Sequence, residues 1–246
     1  MGRQPETREH YRLVLKESGV SLRHFATRRE LLSVLIDAVE AHKRMYGIDV
    51  LHRDIRFHNI MISTFEKEKP GERPGRLLDW DYGKTLTRPT TDDPEEYKNH
   101  HSGTLPFMSV HLLLGDESTE HKVHHDLESF LYVLCWACIT LEGPGQYRRS
   151  FDIMKSQLKF WLVGDTVQGV AYSKLGHLLS RFDNLLADFH PYFEPLKETV
   201  RNLWGTFHMS QSFGPDYVPP TYDEFLAVLK VGRDALPLVD DPPPEN

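Results

Sequence analysis

The stretch His52-Arg53-Asp54-Ile55-Arg56-Phe57-His58-Asn59 holds the residue types that phosphoryl transfer needs, at the spacing it needs. An Asp followed after four residues by an Asn places a carboxylate and an amide about one turn apart. The carboxylate can face an acceptor hydroxyl and the amide a magnesium ion on nucleotide phosphates. Asp54 is therefore the candidate catalytic group and Asn59 a candidate metal ligand. Arg56, two residues beyond Asp54, offers a guanidinium for a transferred phosphate. His52 and Arg53 complete the loop. Taken alone, a loop with an Arg-Asp pair and a turn-forming Asn would look the same, so the rest of the chain has to decide.

Leu77-Leu78-Asp79-Trp80-Asp81 is an apolar strand ending in an Asp followed by an aromatic residue, a setting for a second metal ligand at Asp79. The rival register, Asp81-Tyr82-Gly83, would put Asp79 in an apolar strand position, where burial of an unpaired charge disfavours it. Gly103-Thr104-Leu105-Pro106-Phe107-Met108-Ser109, read by itself, is a turn before an apolar helix. Asp126, in His125-Asp126-Leu127-Glu128-Ser129, reads by itself as a helix N-terminal Asp favoured by the dipole.

Together, His-Arg-Asp-Ile, Asp-Trp-Asp, Gly-Thr-x-x-Phe-Met-Ser and His-Asp-Leu-Glu-Ser-x-x-Tyr-Val closely resemble the fungal-type protein kinase family over roughly residues 12–207. The resemblance implies an α+β, mainly helical fold: a protein-kinase-like C-terminal lobe with a short hairpin at the catalytic loop. It implies ATP and Mg2+ as cofactors, with Asn59 and Asp79 holding the metal and Arg56 on the phosphate. It also implies a protein substrate accepting phosphate on Ser or Thr, received at Gly103 and Thr104, with Thr104 bridging toward Asp54. Asp126 would anchor the backbone of the catalytic loop. His111 falls where such kinases carry a Glu for a buried ion pair, so that brace is expected to be missing or replaced. No Gly-x-Gly-x-x-Gly loop and no Val-Ala-x-Lys strand occurs in the chain. The N-terminal lobe is therefore expected to be largely absent, supplied in cis or in trans, and the chain truncated and weak or inactive alone. Two other readings remain open: a pseudokinase-like binding or scaffold module, and a small-molecule phosphotransferase of aminoglycoside-kinase type.

At 246 residues, 39% hydrophobic and 26% charged, the chain can bury a core. A formal net charge of -7 argues against nucleic acid as the main partner. No apolar run approaches the roughly 20 residues of a membrane span. Two cysteines, Cys135 and Cys138, make no disulfide framework, so the chain reads as intracellular, cytoplasmic or nuclear. Their Cys-x-x-Cys lies in an apolar helix and is expected to be core. His121, His124 and His125 invite a metal, but no Cys or acidic residue completes a ligand set around them, and zinc is not expected.

Positioning elements follow from pattern. Residues 1–10 are expected to be a flexible N-terminus and 11–16 a hinge-like strand opening a domain over 11–232. Thr27-Arg28-Arg29-Glu30 is a capping box, and Leu31, Leu35, Ala38 with Leu32, Ile36, Val39 predict a long helix to Gly47. Residues 60–63 and 76–79 predict a hairpin with a polar tip, and 84–102 a mobile loop. Beyond Asp126 the pattern is mostly helical, a second capping box at Thr221-Tyr222-Asp223-Glu224 opens the last helix, and 233–246 is expected to be a disordered, Pro-rich acidic tail.

Overall fold

A chain that reverses at Thr27 sets up the first half of the fold. The computed structural model describes residues 19–64, 73–81, 83–86, 103–116, 118–207 and 217–240. The expected N-terminus and strand at 11–16, most of the hairpin tip, most of the polar loop and residues 241–246 lie outside them. Strand β1, Gly19–Ser21, leads to helix α1, Arg28–Tyr46. The Thr27 side chain accepts the Glu30 N–H at 3.0 Å, the expected cap. The Glu30 carboxylate reaches back to the Ala26 N–H and is held by Arg73. Helix α1 buries Leu31, Leu32, Leu35, Ile36, Ala38 and Val39, as its apolar spacing predicts, and also His42. Gly47 caps it in a right-handed conformation, and the left-handed turn falls on Asp49 (φ 63°), a residue type that tolerates it.

The site hangs on short strands behind this helix. Strand β2, Val50–Leu51, precedes the loop; β3, Ile60–Ser63, and β4, Gly75–Leu77, follow as the expected hairpin, paired Ile60 to Leu77 and Ile62 to Gly75. β1 completes an antiparallel sheet in the order β1-β3-β4. The polar loop does not begin at Lys84 as expected: Lys84–Thr85 forms β5, pairing with β2 and closing the catalytic loop at its base.

Two helices continue the chain: α2, Val110–Leu114, and α3, Val123–Thr140. From His125 to Thr140 nearly every residue of α3 is buried, so it runs through the core instead of lying on it. Cys135 and Cys138 sit there as expected, and burial pushes both thiols well above the ordinary cysteine range. After a hairpin of β6, Leu141–Gly143, and β7, Gln146–Tyr147, come α4, Val167–Ser180, α5, Phe182–Ala187, α6, Lys197–Thr206, and α7, Tyr222–Asp234. Thr221 and Glu224 close the expected capping box. The fold is mainly helical with small sheets, and none of the helices among the described residues is long and apolar enough to cross a membrane.

One boundary differs from expectation. The acidic segment from residue 233 is packed as far as Asp240: α7 runs to Asp234, Leu236 is buried, and Asp240 accepts from the N–H and Nε of Arg28 at 2.9 and 3.1 Å and from the Tyr192 hydroxyl. Composition reads the stretch as solvated, but a cation from the first turn of α1 gives its carboxylate a partner.

The hairpin is seated on α1 through Gly75, where an added Cβ would lie 2.3 Å from the Val34 carbonyl oxygen and 2.9 Å from Val34 Cα. Gly75→Ala must push β4 off the helix, at a cost of about 1–3 kcal/mol. Denaturant unfolding checks this, and a loss below about 0.5 kcal/mol would mean that the strand is free to yield.

Candidate active site

His52 is the hub from which the loop is laid out. Its ring is fully buried; Nε2 donates to the Leu78 carbonyl at 2.9 Å and Nδ1 accepts the Asp54 N–H at 3.2 Å. Those bonds define a neutral ring with its proton on Nε2, and burial lowers its pKa. One imidazole thus ties residue 54 to the residue before Asp79. Both neighbours of these contacts have left-handed backbone, Arg53 at φ 73° and Asp79 at φ 65°, unusual for non-glycine residues and characteristic of functional turns.

Asp126 fixes the loop from the other side. Almost fully buried at the start of α3, it accepts the Arg53 N–H at 3.1 Å and His42 Nε2 at 2.8 Å on one oxygen, and His121 Nε2 at 2.7 Å on the other. Burial by itself would raise its pKa; His121 and His42 outweigh burial and hold the carboxyl well below the ordinary value. Tyr222, at the start of α7, supports His42 in turn, its hydroxyl 2.6 Å from Nδ1.

The four side chains singled out in the loop and strand then meet. Arg56 Nε donates to Asn59 Oδ1 at 3.1 Å and lies 3.1 Å from Asp54 Oδ2; its terminal nitrogen donates to Asp79 Oδ2 at 3.0 Å. Asn59 Nδ2 donates to the Asp54 carbonyl at 2.9 Å, which turns its oxygen toward Arg56. The second oxygen of Asp54 accepts both the N–H and the hydroxyl of Thr104, at 3.1 and 3.2 Å. Asp81, the rival ligand, is exposed. Gly103 is held at φ 148°, with its Cβ position 2.9 Å from Met108 Cγ, so the turn that delivers Thr104 has no room for a larger residue. The direction of Arg56 was not expected: it points into the acids, because two nearby carboxylates outcompete solvent for its fork.

The segment after Thr104 has a brace that the sequence hides. Lys174 on α4 is fully buried and donates to the carbonyls of Pro106 and Met108 at 2.9 and 2.8 Å, over the rings of Tyr132 and Trp161. Glu128 accepts the Val110 N–H at 2.9 Å and the Tyr132 hydroxyl. Burial pushes the Lys174 amine down to about 7 and Glu128 up. The ring of His111, in the same segment, meets those of His124, His125 and Tyr217. The nitrogens of His111, His124 and His125 lie within 4.8 Å of one another, a grouping that sequence spacing does not reveal. His125 Nδ1 accepts the Lys122 N–H at 3.0 Å, capping α3, and a neutral ring so bonded carries its proton on Nε2, leaving no lone pair for a metal. His121 is engaged by Asp126 instead.

This arrangement can hold a cation among oxygen donors and present a carboxylate beside them. The sequence model of one family, described as fungal protein kinase, matches residues 2–138. The chain belongs to the fungal protein kinase family. Every group of the cluster, from His52 to Asp126, falls within the matched stretch; Lys174 and Tyr222 lie beyond it. Membership in the fungal protein kinase family gives a kinase-like function at the level of the family. No curated protein matches the chain.

Two outcomes test this construction. Asp126→Ala leaves the Arg53 N–H, His42 and His121 without their acceptor, and should cost about 3–5 kcal/mol in denaturant unfolding. For Lys174, the unfolded chain binds more protons than the folded one above pH of about 7, so this group makes stability rise with pH from there. Between pH about 7 and 8.5, below the range in which the buried thiols oppose it, wild type should gain stability relative to Lys174→Met; parallel profiles would contradict the buried amine.

Proposed function

We propose that this chain is the large lobe of a protein kinase, transferring the terminal phosphoryl group of Mg-ATP to Ser or Thr hydroxyls of a protein substrate. The observation that carries the proposal is the convergence of Asp54, Asn59 and Asp79 oxygens on one guanidinium within 3.1 Å. Hard oxygen donors that already hold a positive charge suit magnesium better than a softer metal. Asn59 and Asp79 would hold the ion, which supplies charge neutralisation on the phosphates.

The chain's own groups do the rest. Asp54 orients the acceptor hydroxyl and takes its proton, and Thr104 keeps the other carboxylate oxygen occupied so that Asp54 presents a defined face. Arg56 stabilises the negative charge of the transferred group, a task a guanidinium performs with two parallel donors. Asp126 and His52 keep the loop from relaxing out of register. Lys174 and Glu128 hold residues 106–110, the segment that would receive the substrate peptide.

The lobe needs a cover. Among the described residues, 19–50 contribute one three-residue strand and α1, and no sheet that could lie over a nucleotide. Positioning the phosphates is most of this chemistry, so turnover by the lobe alone should fall by several powers of ten, and a Gly-rich cover in cis or in trans should restore it.

Mg-ATP at about 100 times its Kd should stabilise the lobe by about 2.7 kcal/mol, a melting-temperature rise of roughly 5–10 °C. Asp79→Asn should abolish most of that rise while Asp81→Asn leaves it intact. The absence of a shift at millimolar Mg-ATP would turn the proposal into its scaffold alternative. Transfer of labelled phosphate to an amino sugar instead of a Ser/Thr peptide would replace the substrate class.

A further inference from the structure

The oxygens a divalent cation would need are the oxygens that Arg56 already holds. Asp54 uses Oδ1 for Thr104 and gives Oδ2 to Arg56; Asn59 uses its amide nitrogen on the Asp54 carbonyl and gives Oδ1 to Arg56; Asp79 gives Oδ2. Two carboxylates and one guanidinium sum to a net charge of -1, so the cluster is nearly neutralised from within. Adding a divalent cation while Arg56 stays would set two cations against the same oxygens, at separations where repulsion is strong. Arg56 has to leave. Its side chain is about one third exposed and that of Asp79 similarly so, which leaves a path outward, while the neighbouring Phe57 is buried and keeps the backbone in place.

A guanidinium that gives up two carboxylates needs another anion, and a polyphosphate chain offers one in matching bidentate geometry. We propose that Arg56 makes the site selective for the metal–polyphosphate complex over the free metal ion: the tethered cation excludes a bare divalent ion and yields to one that arrives with phosphate oxygens for Arg56 to bind. Arg56 is then a specificity-determining residue as well as a phosphate-facing one, and in the resting state it is the counter-charge that keeps Asp54 and Asp79 together. This rests on the nucleotide-site reading above and adds to it the form in which the metal is admitted.

The linkage is measurable without turnover. Mn2+ serves as the probe, its binding followed by electron paramagnetic resonance with and without ATP, on wild type, Arg56→Gln and Arg56→Lys, with melting temperatures in parallel. Wild type should bind free Mn2+ weakly and far more tightly once ATP is present. Arg56→Gln should bind free Mn2+ between about 5- and 150-fold more tightly than wild type, with the advantage conferred by ATP reduced by a similar factor, since coupling is reciprocal. In chelator Arg56→Gln should melt below wild type, and Mg2+ alone should recover more of the loss than it adds to wild type. Arg56→Lys retains the charge but cannot span three acceptors, so it should fall between the two; it also serves if the Gln variant is poorly folded. Equal free-Mn2+ affinity in wild type and both variants, with ATP-assisted binding intact, overturns the selectivity and leaves the nucleotide site standing. Failure of wild type to bind Mn2+ even with ATP overturns the nucleotide site itself, and the selectivity with it.

Discussion

A carboxylate taken out of water must be given partners, and the way Asp126 obtains its partners determines the rest of this structure. Its three acceptor contacts come from α1, from the backbone of the catalytic loop and from the segment ahead of α3. None of these can drift without leaving a buried charge short of a donor, a penalty of several kcal/mol. The Arg53 N–H reaches Asp126 only because Arg53 adopts a left-handed backbone, and that same reversal turns Asp54 to the opposite side, toward Asn59, Arg56 and Thr104. The Asp126 network and the cluster around Asp54 are two faces of one turn.

The segment from Thr104 to Val110 is held by a different physics. Lys174 spends its donors on two main-chain carbonyls and its remaining face on aromatic rings, so a positive charge is accommodated without direct contact to a carboxylate. Glu128 anchors the next backbone N–H from beneath. A brace of main-chain bonds holds the path of the chain but is indifferent to which side chains it displays. The side chains that this segment displays are therefore free to vary above a fixed support.

Local spacing made much of this legible. The turn between Asp54 and Asn59, the hairpin of β3 and β4, the α1 cap at Thr27 and the α7 box at Thr221 all depend on residues a few positions apart and are readable from pattern, although the second strand ends at Leu77 and not at Asp79. The preference for Asp79 over Asp81 followed from the cost of burying a charge in a strand. Long-range pairings were not readable. His42 and Tyr222 join the Asp126 network from positions 84 and 96 residues away, and nothing in the spacing of α1 or α7 distinguishes a buried His or Tyr that bonds from one that packs. Lys174 reads as a surface residue of an amphipathic helix. Asp240 reads as part of a solvated tail because its partner, Arg28, lies at the other end of the chain. Arg56 reads as a phosphate-facing group and here turns into the acids, since composition does not say which anion holds a guanidinium.

The left-handed backbone at Asp79 also settles a question of chemical equivalence. Glu carries the same charge and ligates the same ions, yet the two acids are not interchangeable here. Asp and Asn enter this region of backbone space more readily than longer side chains, and an extra methylene would carry the carboxylate past the point where Arg56 and Asn59 converge. The dihedral angle of one residue thus acts as a filter on side-chain length, and the ligand is selected by its backbone before its charge is consulted.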